Sequence, residues 1–221
     1  MKHATVITLF VVLQISLVHQ AQAQPDAIVQ AKVIQRVHPV LIKKRYNCLL
    51  QVVVNAPRDG IRATAITVDL SGSDDLADLS ALEMYYSGRH YSDKLDRLYS
   101  GTNFRGSRAP LFLQMMVPFG RSQKPARQIT FRGSTPLRKG DNVFWLSCQL
   151  QNKANLSHKV DASCPTVVTT AGTIRLHKPT TPVRKRIGIA LRQFWQNKTH
   201  TSRIPALATT NKGTLLCVFD L

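Results

Sequence analysis

Cys48-Leu49-Leu50-Gln51-Val52-Val53-Val54-Asn55, followed by Ala56-Pro57-Arg58-Asp59-Gly60 and then by Ile61 to Leu70, is the stretch whose reading decides the fold class. The first segment is a short, Val-rich apolar run, which reads as a strand. The second carries both a Pro and an Asp-Gly turn signal. The third alternates, with Ile61, Ala63, Ala65, Thr67 and Asp69 on one side and Arg62, Thr64, Ile66, Val68 and Leu70 on the other. Its second half is apolar on the latter face, as in a half-buried strand.

The same alternation of short apolar runs and turns extends in both directions. Upstream, Ala27–Val37 reads as a strand. Downstream, Ser71–Ser80 is polar and holds Asp74, Asp75 and Asp78, but it lacks the spacing and terminal Glu of a calcium loop and reads as a solvated connection. Leu82–Tyr86 is a strand with two aromatics, Ser87–Gly106 a long Arg-rich loop, and Leu111–Val117 and Gln128–Arg132 are further strands. A tight turn over Arg138-Lys139-Gly140-Asp141-Asn142 leads into Val143–Leu150, whose Phe144 and Trp145 suit a central strand. Val167–Leu176, with Ala171-Gly172 in its middle, reads as a closing hairpin. Many short strands, no convincing amphipathic helix and no internal repeat predict an all-β protein built on a jelly-roll-like β-sandwich.

The ends read differently. Residues 1–23 start with Lys2, run apolar from Ala4 to Val18 and finish at Ala21-Gln22-Ala23, a small-x-small cleavage site; this is the pattern of a secretory signal peptide. It predicts a secreted, periplasmic or cell-surface protein, and no later segment is apolar for long enough to insert stably in a membrane. Residues 178–186, with Pro179, Pro182 and Arg184-Lys185-Arg186, read as an extended, exposed linker. The expected division is therefore a signal peptide at 1–23, a sandwich at 24–177, a linker at 178–186 and a separate segment at 187–221.

Composition narrows the function classes. The formal net charge is +18, which invites a nucleic-acid reading. The densest basic runs, Lys43-Lys44-Arg45 and Arg184-Lys185-Arg186, are short and accompany no nucleic-acid motif, so no nucleic-acid partner is expected. Export permits disulfides, and Cys48, Cys148, Cys164 and Cys217 allow three full pairings among which sequence cannot choose; buried free thiols are the favoured reading. No Cys-x-x-Cys occurs, and His158 and His200 lack ligand spacing. Neither a metal nor a cofactor is expected. Asn155-Leu156-Ser157 and Asn197-Lys198-Thr199 match the glycosylation pattern only formally.

After residue 186 comes Ile187-Gly188-Ile189-Ala190-Leu191-Arg192-Gln193, and then His200-Thr201-Ser202-Arg203-Ile204-Pro205-Ala206-Leu207-Ala208-Thr209-Thr210-Asn211-Lys212-Gly213 before Thr214-Leu215-Leu216-Cys217-Val218-Phe219-Asp220. An Arg-Ile-Pro element, a strand, an Asn-Lys-Gly turn and a second strand resemble the opening of the catalytic propeller of bacterial exo-α-sialidases, the BNR-repeat neuraminidases. The upstream module resembles the accessory domain that precedes it, through Leu82-Glu83-Met84-Tyr85-Tyr86-Ser87-Gly88, Gly140-Asp141-Asn142-Val143-Phe144-Trp145-Leu146-Ser147 and His158-Lys159-Val160-Asp161-Ala162-Ser163-Cys164. The resemblance implies that 187–221 begins a β-propeller, here truncated, and that sialylated glycans or glycoproteins are the substrates.

The resemblance also assigns Arg203 a role: the first of three arginines around the sialic acid carboxylate. A guanidinium presents a planar fork that matches a carboxylate bidentately and stays charged. Sialidases use a tyrosine nucleophile, assisted by a glutamate, and an aspartate acid/base, outside the usual two-carboxylate scheme. In the family these follow the Arg-Ile-Pro strand pair, so no catalytic residue is expected within this chain; Asp220 reads as structural. No Ser-x-Asp-x-Gly-x-Thr-Trp box occurs, and Ile187 to Leu221 is shorter than the roughly 40–50 residues of a propeller blade. Ser202 stands where sialidases often carry an aromatic. The expectation is the N-terminal portion of a secreted exo-α-sialidase, inactive alone. The rival readings are a stand-alone carbohydrate-binding or adhesion module, and a module that orients or solubilises its neighbour.

Overall fold

The computed structural model describes residues 28–88, 117–177, 183–189, 203–212 and 215–220. The signal-peptide reading, the strand expected at Leu111–Val117 apart from Val117, most of the long loop after Ser87, and His200 lie outside the described residues. The regular secondary structure among the described residues is strand, with one short 3-10 turn at Leu76–Asp78. Among the described residues no helix is long and apolar enough to cross a membrane.

Two sheets carry the fold. The five-stranded one runs in the order β1 (Gln30–Ile34), β3 (Asn47–Ala56), β8 (Gly140–Leu150), β5 (Leu79–Gly88) and β6 (Val117–Pro118). The four-stranded one runs β11 (Gly172–Arg175), β10 (Ser163–Thr169), β4 (Arg62–Asp69) and β7 (Gln128–Pro136). Every pairing in both is antiparallel. Between the sheets lie Leu50, Val52, Leu82, Met84, Phe144 and Leu146 from the first and Ile66, Val68, Phe131 and Val167 from the second, in one core cluster. Burying a side chain of this size contributes about 1.5–3 kcal/mol. The protein is an all-β sandwich, as the alternation predicted, and Val143–Leu150 is central, as its Phe and Trp suggested.

The strand over residues 61–70 departs from strict alternation. Ile66, Val68 and Leu70 face the core as expected, but Ile61 and Ala63 join them from the opposite parity. The cause is a bulge. Between Ala63 and Ala65 on β4 the partner β10 advances only from Thr169 to Val168, so Thr64 is an extra residue that flips the phase. Local alternation cannot show this, because the insertion is defined only against the paired strand.

A third, small sheet holds the largest surprise. Lys185–Ile189, which begins within the segment read as an exposed linker, forms β12. It pairs in parallel with β2 (Val40–Ile42) and antiparallel with β9 (Lys159–Val160). Residues 178–182, with both prolines, lie outside the described residues; the part that is described is not all exposed, since Lys185 is buried and its ammonium donates to the Arg36 carbonyl. The remaining described strands, β13 (Arg203–Thr209) and β14 (Leu215–Asp220), pair as an antiparallel hairpin.

Candidate functional site

Where β12 meets the sandwich, three stretches distant in sequence interlock. Asp78, read as part of a solvated connection, is instead buried. Its Oδ1 accepts from the Asn155 amide and its Oδ2 from His158 Nδ1, both at 2.8 Å. The His158 carbonyl in turn accepts from the Ile187 amide at 3.3 Å, which fastens β12. Asp74 Oδ2 accepts from the Lys159 amide at 2.8 Å, and Asp74 Oδ1 pairs with the Arg184 guanidinium, which also donates to the Gly72 carbonyl. The Lys159 amide, with Arg184 beside it, holds the Asp74 carboxyl below its ordinary range. Asp75 caps the short 3-10 turn through the Ala77 amide at 2.8 Å. Each of the three aspartates is therefore engaged as a structural acceptor. A shallow polar cleft of about 260 Å³ lies between this connection and Arg127.

The segments that carry the sequence resemblance prove to be scaffold. Asn142, fully buried, accepts from the Tyr86 hydroxyl at 2.9 Å and the Arg138 amide at 3.0 Å, and its Nδ2 donates to the Arg138 and Gly140 carbonyls at 2.7 and 2.8 Å. It thus closes the turn into β8 and ties it to β5. Asn47 does the same at the other end of the sheet, linking Leu41, Lys44 and the Cys148 carbonyl. Burying an amide side chain requires such full pairing. His158 to Cys164 supplies β9 and the start of β10.

The outer face of the five-stranded sheet carries Trp145 stacked on Tyr85, ring centres 4.7 Å apart, with Tyr46 edge-on to both. Aromatic residues on a sandwich face can stack against sugars, but here Trp145 is 0% exposed and Tyr85 only 8%. The cluster is packing, not an open platform. Burial and the Glu83 contact push the Tyr85 phenol well above its ordinary value. Cys48, Cys148 and Cys164 are buried thiols, as favoured from sequence; burial pushes the Cys164 thiol up to about 12.

Arg203 opens β13, with its Cα opposite that of Asp220 on β14. A register shift follows immediately, between Arg203 and Ala206, at the element containing Pro205, which cannot donate to a ladder. Sequence placed this strand–turn–strand correctly. The Asp78–His158 clasp and the docking of β12 were missed. The one available signal was the Asp74/Asp75/Asp78 cluster, and it lacked any hint of its partner some eighty residues away.

A family model for the N-terminal domain of BNR-repeat neuraminidase matches residues 28–173. The chain belongs to this family. That neuraminidase-domain match covers both large sheets as far as Thr173 in β11, and it agrees with two relatives. A protein of Bacteroides fragilis (strain YCH46) described as a sialidase is 25% identical over 190 residues, which is 83% of this chain and 35% of the relative. The solved structure of the Hadza microbial sialidase Hz136 superposes with a TM-score of 0.65 at 23% identity, over 85% of this chain and 37% of that one; it shares the fold. The neuraminidase N-terminal domain described above thus spans, with its flanks, little more than a third of the length of either relative.

Proposed function

We propose that the chain is the N-terminal part of a secreted exo-α-sialidase that removes terminal sialic acids from glycoconjugates. The observation that carries this is the order of parts: a neuraminidase N-terminal domain at 28–173, then the Arg203–Thr209/Leu215–Asp220 hairpin with Arg-Ile-Pro at its start. In this reading the hairpin opens the catalytic propeller, and Arg203 grips the substrate carboxylate with a two-pronged guanidinium contact. The nucleophilic tyrosine, its glutamate and the acid/base aspartate belong to sequence beyond the hairpin. Substrate binding that is equal in ground and transition states does not speed the chemical step, so the 221 residues alone do not hydrolyse sialosides.

The clasp at residues 71–78, 155–161 and 184–187 supports an orienting role for the sandwich. Because β12 is laddered to both β2 and β9, the chain is held to the sandwich as far as Ile189. The test is a fluorogenic sialoside assay on this chain and on a version extended through a full propeller. Only the extended form is expected to turn over, and Arg203→Lys within it is expected to lower kcat/KM by at least ten-fold, because an ammonium cannot reproduce the fork. Turnover by the 221-residue chain, or unchanged kinetics in the extended Arg203→Lys enzyme, refutes the respective half.

A further inference from the structure

The outer face of the four-stranded sheet is the opposite of its closed counterpart: it is open, cationic and hydroxyl-lined. The ladder register sets two rows of side chains across it. One row is Arg175, Thr166, Thr67 and Thr130, and the next is Thr173, Val168, Ala65 and Arg132. Arg175, Arg132 and Thr173 are exposed, and Thr166, Thr67 and Thr130 are half-buried. Arg62 lies across the same face, anchored to Ser134 by Nε–Oγ at 2.8 Å and Nη2–O at 2.9 Å. Against these three arginines the face carries one carboxylate, Asp69, whose Oδ1 accepts from the Ser71 amide. Thr67 and Thr130 hydrogen-bond to each other at 2.9 Å, so their hydroxyls sit side by side on the face.

We infer that this face binds a carboxylate-bearing polysaccharide, an inference that rests on the carbohydrate-directed reading above but uses a surface separate from the Arg203 hairpin. Four strands at about 4.8 Å separation place Arg175 and Arg132 about 14 Å apart across the sheet, so a single small anion cannot engage both, whereas an extended polymer can. The guanidinium forks match carboxylates spaced along such a chain, and the threonine hydroxyls between them both donate to and accept from sugar hydroxyls. A formal net charge of +18 draws polyanions toward the protein from a distance, and the two rows decide where they settle.

The test is affinity electrophoresis and calorimetry of the 221-residue chain with polygalacturonate, heparin, dextran and duplex DNA. Arg132→Ser/Arg175→Ser is compared with Arg58→Ser/Lys153→Ser, two exposed basic residues in the turns that follow β3 and β8 of the other sheet, after circular dichroism and melting show that both variants fold. Polygalacturonate is expected to bind and dextran not. The on-face pair is expected to weaken binding at least ten-fold and the off-face pair less than two-fold. Equal weakening by both pairs, absence of polygalacturonate binding, or tighter binding of heparin or DNA through the same arginines overturns the proposal. Sialoside turnover by the extended enzyme is read separately, so failure here leaves the sialidase reading untouched, and failure there leaves a measured polysaccharide site in place.

Discussion

Replacing Asp78 with Ala removes the one side chain that joins the 3-10 turn, the loop at 151–158 and, through His158, the strand that leaves the sandwich. The carboxylate accepts two hydrogen bonds at 2.8 Å, from the Asn155 amide and from His158 Nδ1. A hydrogen bond to an ionised group is worth about 1.5–3 kcal/mol. Asn155 is exposed and the His158 side chain keeps about a third of its surface, so both regain water in the variant and the low end applies to each. The expected loss is about 3 kcal/mol, or about 6–12 °C in Tm at the 2–4 °C per kcal/mol typical of a chain of this length. Asp78→Asn keeps the shape and the Asn155 contact, so it is expected to lose about half as much. Urea denaturation and calorimetry of the 221-residue chain measure both. Hydrogen exchange adds a local readout: the Lys185–Val160 and Arg186–Lys159 pairs of β12 and β9 are expected to lose protection before the central β8 does. An Asp78→Ala chain with a Tm within 2 °C of the parent and unchanged exchange in β12 would refute the clasp.

Other outcomes follow from the same structure. Gly133→Ala would place a methyl 2.8 Å from the Phe119 ring, which is itself fully buried and packed edge-on to Phe144 at 5.1 Å; overpacking of this kind costs about 1–3 kcal/mol, and a Tm unchanged in that variant would mean that the ring moves freely. Cys48, Cys148 and Cys164 are expected to stay unreactive toward a thiol reagent at pH 8 until the chain is unfolded, since all three are buried and burial raises the Cys148 and Cys164 thiols; titration of all three in the native protein would contradict the core placement. The same groups set a pH dependence. Folded-state values are raised for Cys148 and Cys164 from 9.0 and for Tyr85 and Tyr86 from 10.0, burial being the first cause in each. Above about pH 9 the unfolded chain therefore loses protons that the folded chain keeps, so stability is full below that value and declines as pH rises; a flat melting profile from pH 8 to 11 would show that these groups are not buried.

Much of the fold was legible in the residues themselves. Val-rich runs, a Pro and Asp-Gly turn, and Phe144-Trp145 after a tight turn were enough to predict an all-β sandwich with Val143–Leu150 at its centre, because side-chain parity and turn chemistry are properties of a few adjacent residues. The Arg203–Thr209 and Leu215–Asp220 hairpin was legible for the same reason: its turn and both strands are contiguous. What the residues could not show was anything defined by a partner far along the chain. The phase change at Thr64 exists only against the paired strands β10 and β7, the burial of Asp78 is met by Asn155 and His158, and that of Lys185 by the Arg36 carbonyl. Trp145 illustrates both sides. Its type and its neighbours marked it as central, but whether its outer face would be an open sugar platform or closed packing was decided by tertiary assembly, which left it 0% exposed. The physical reason is that periodicity reports which face a residue takes on its own strand, whereas burial and pairing depend on which distant strand closes over that face.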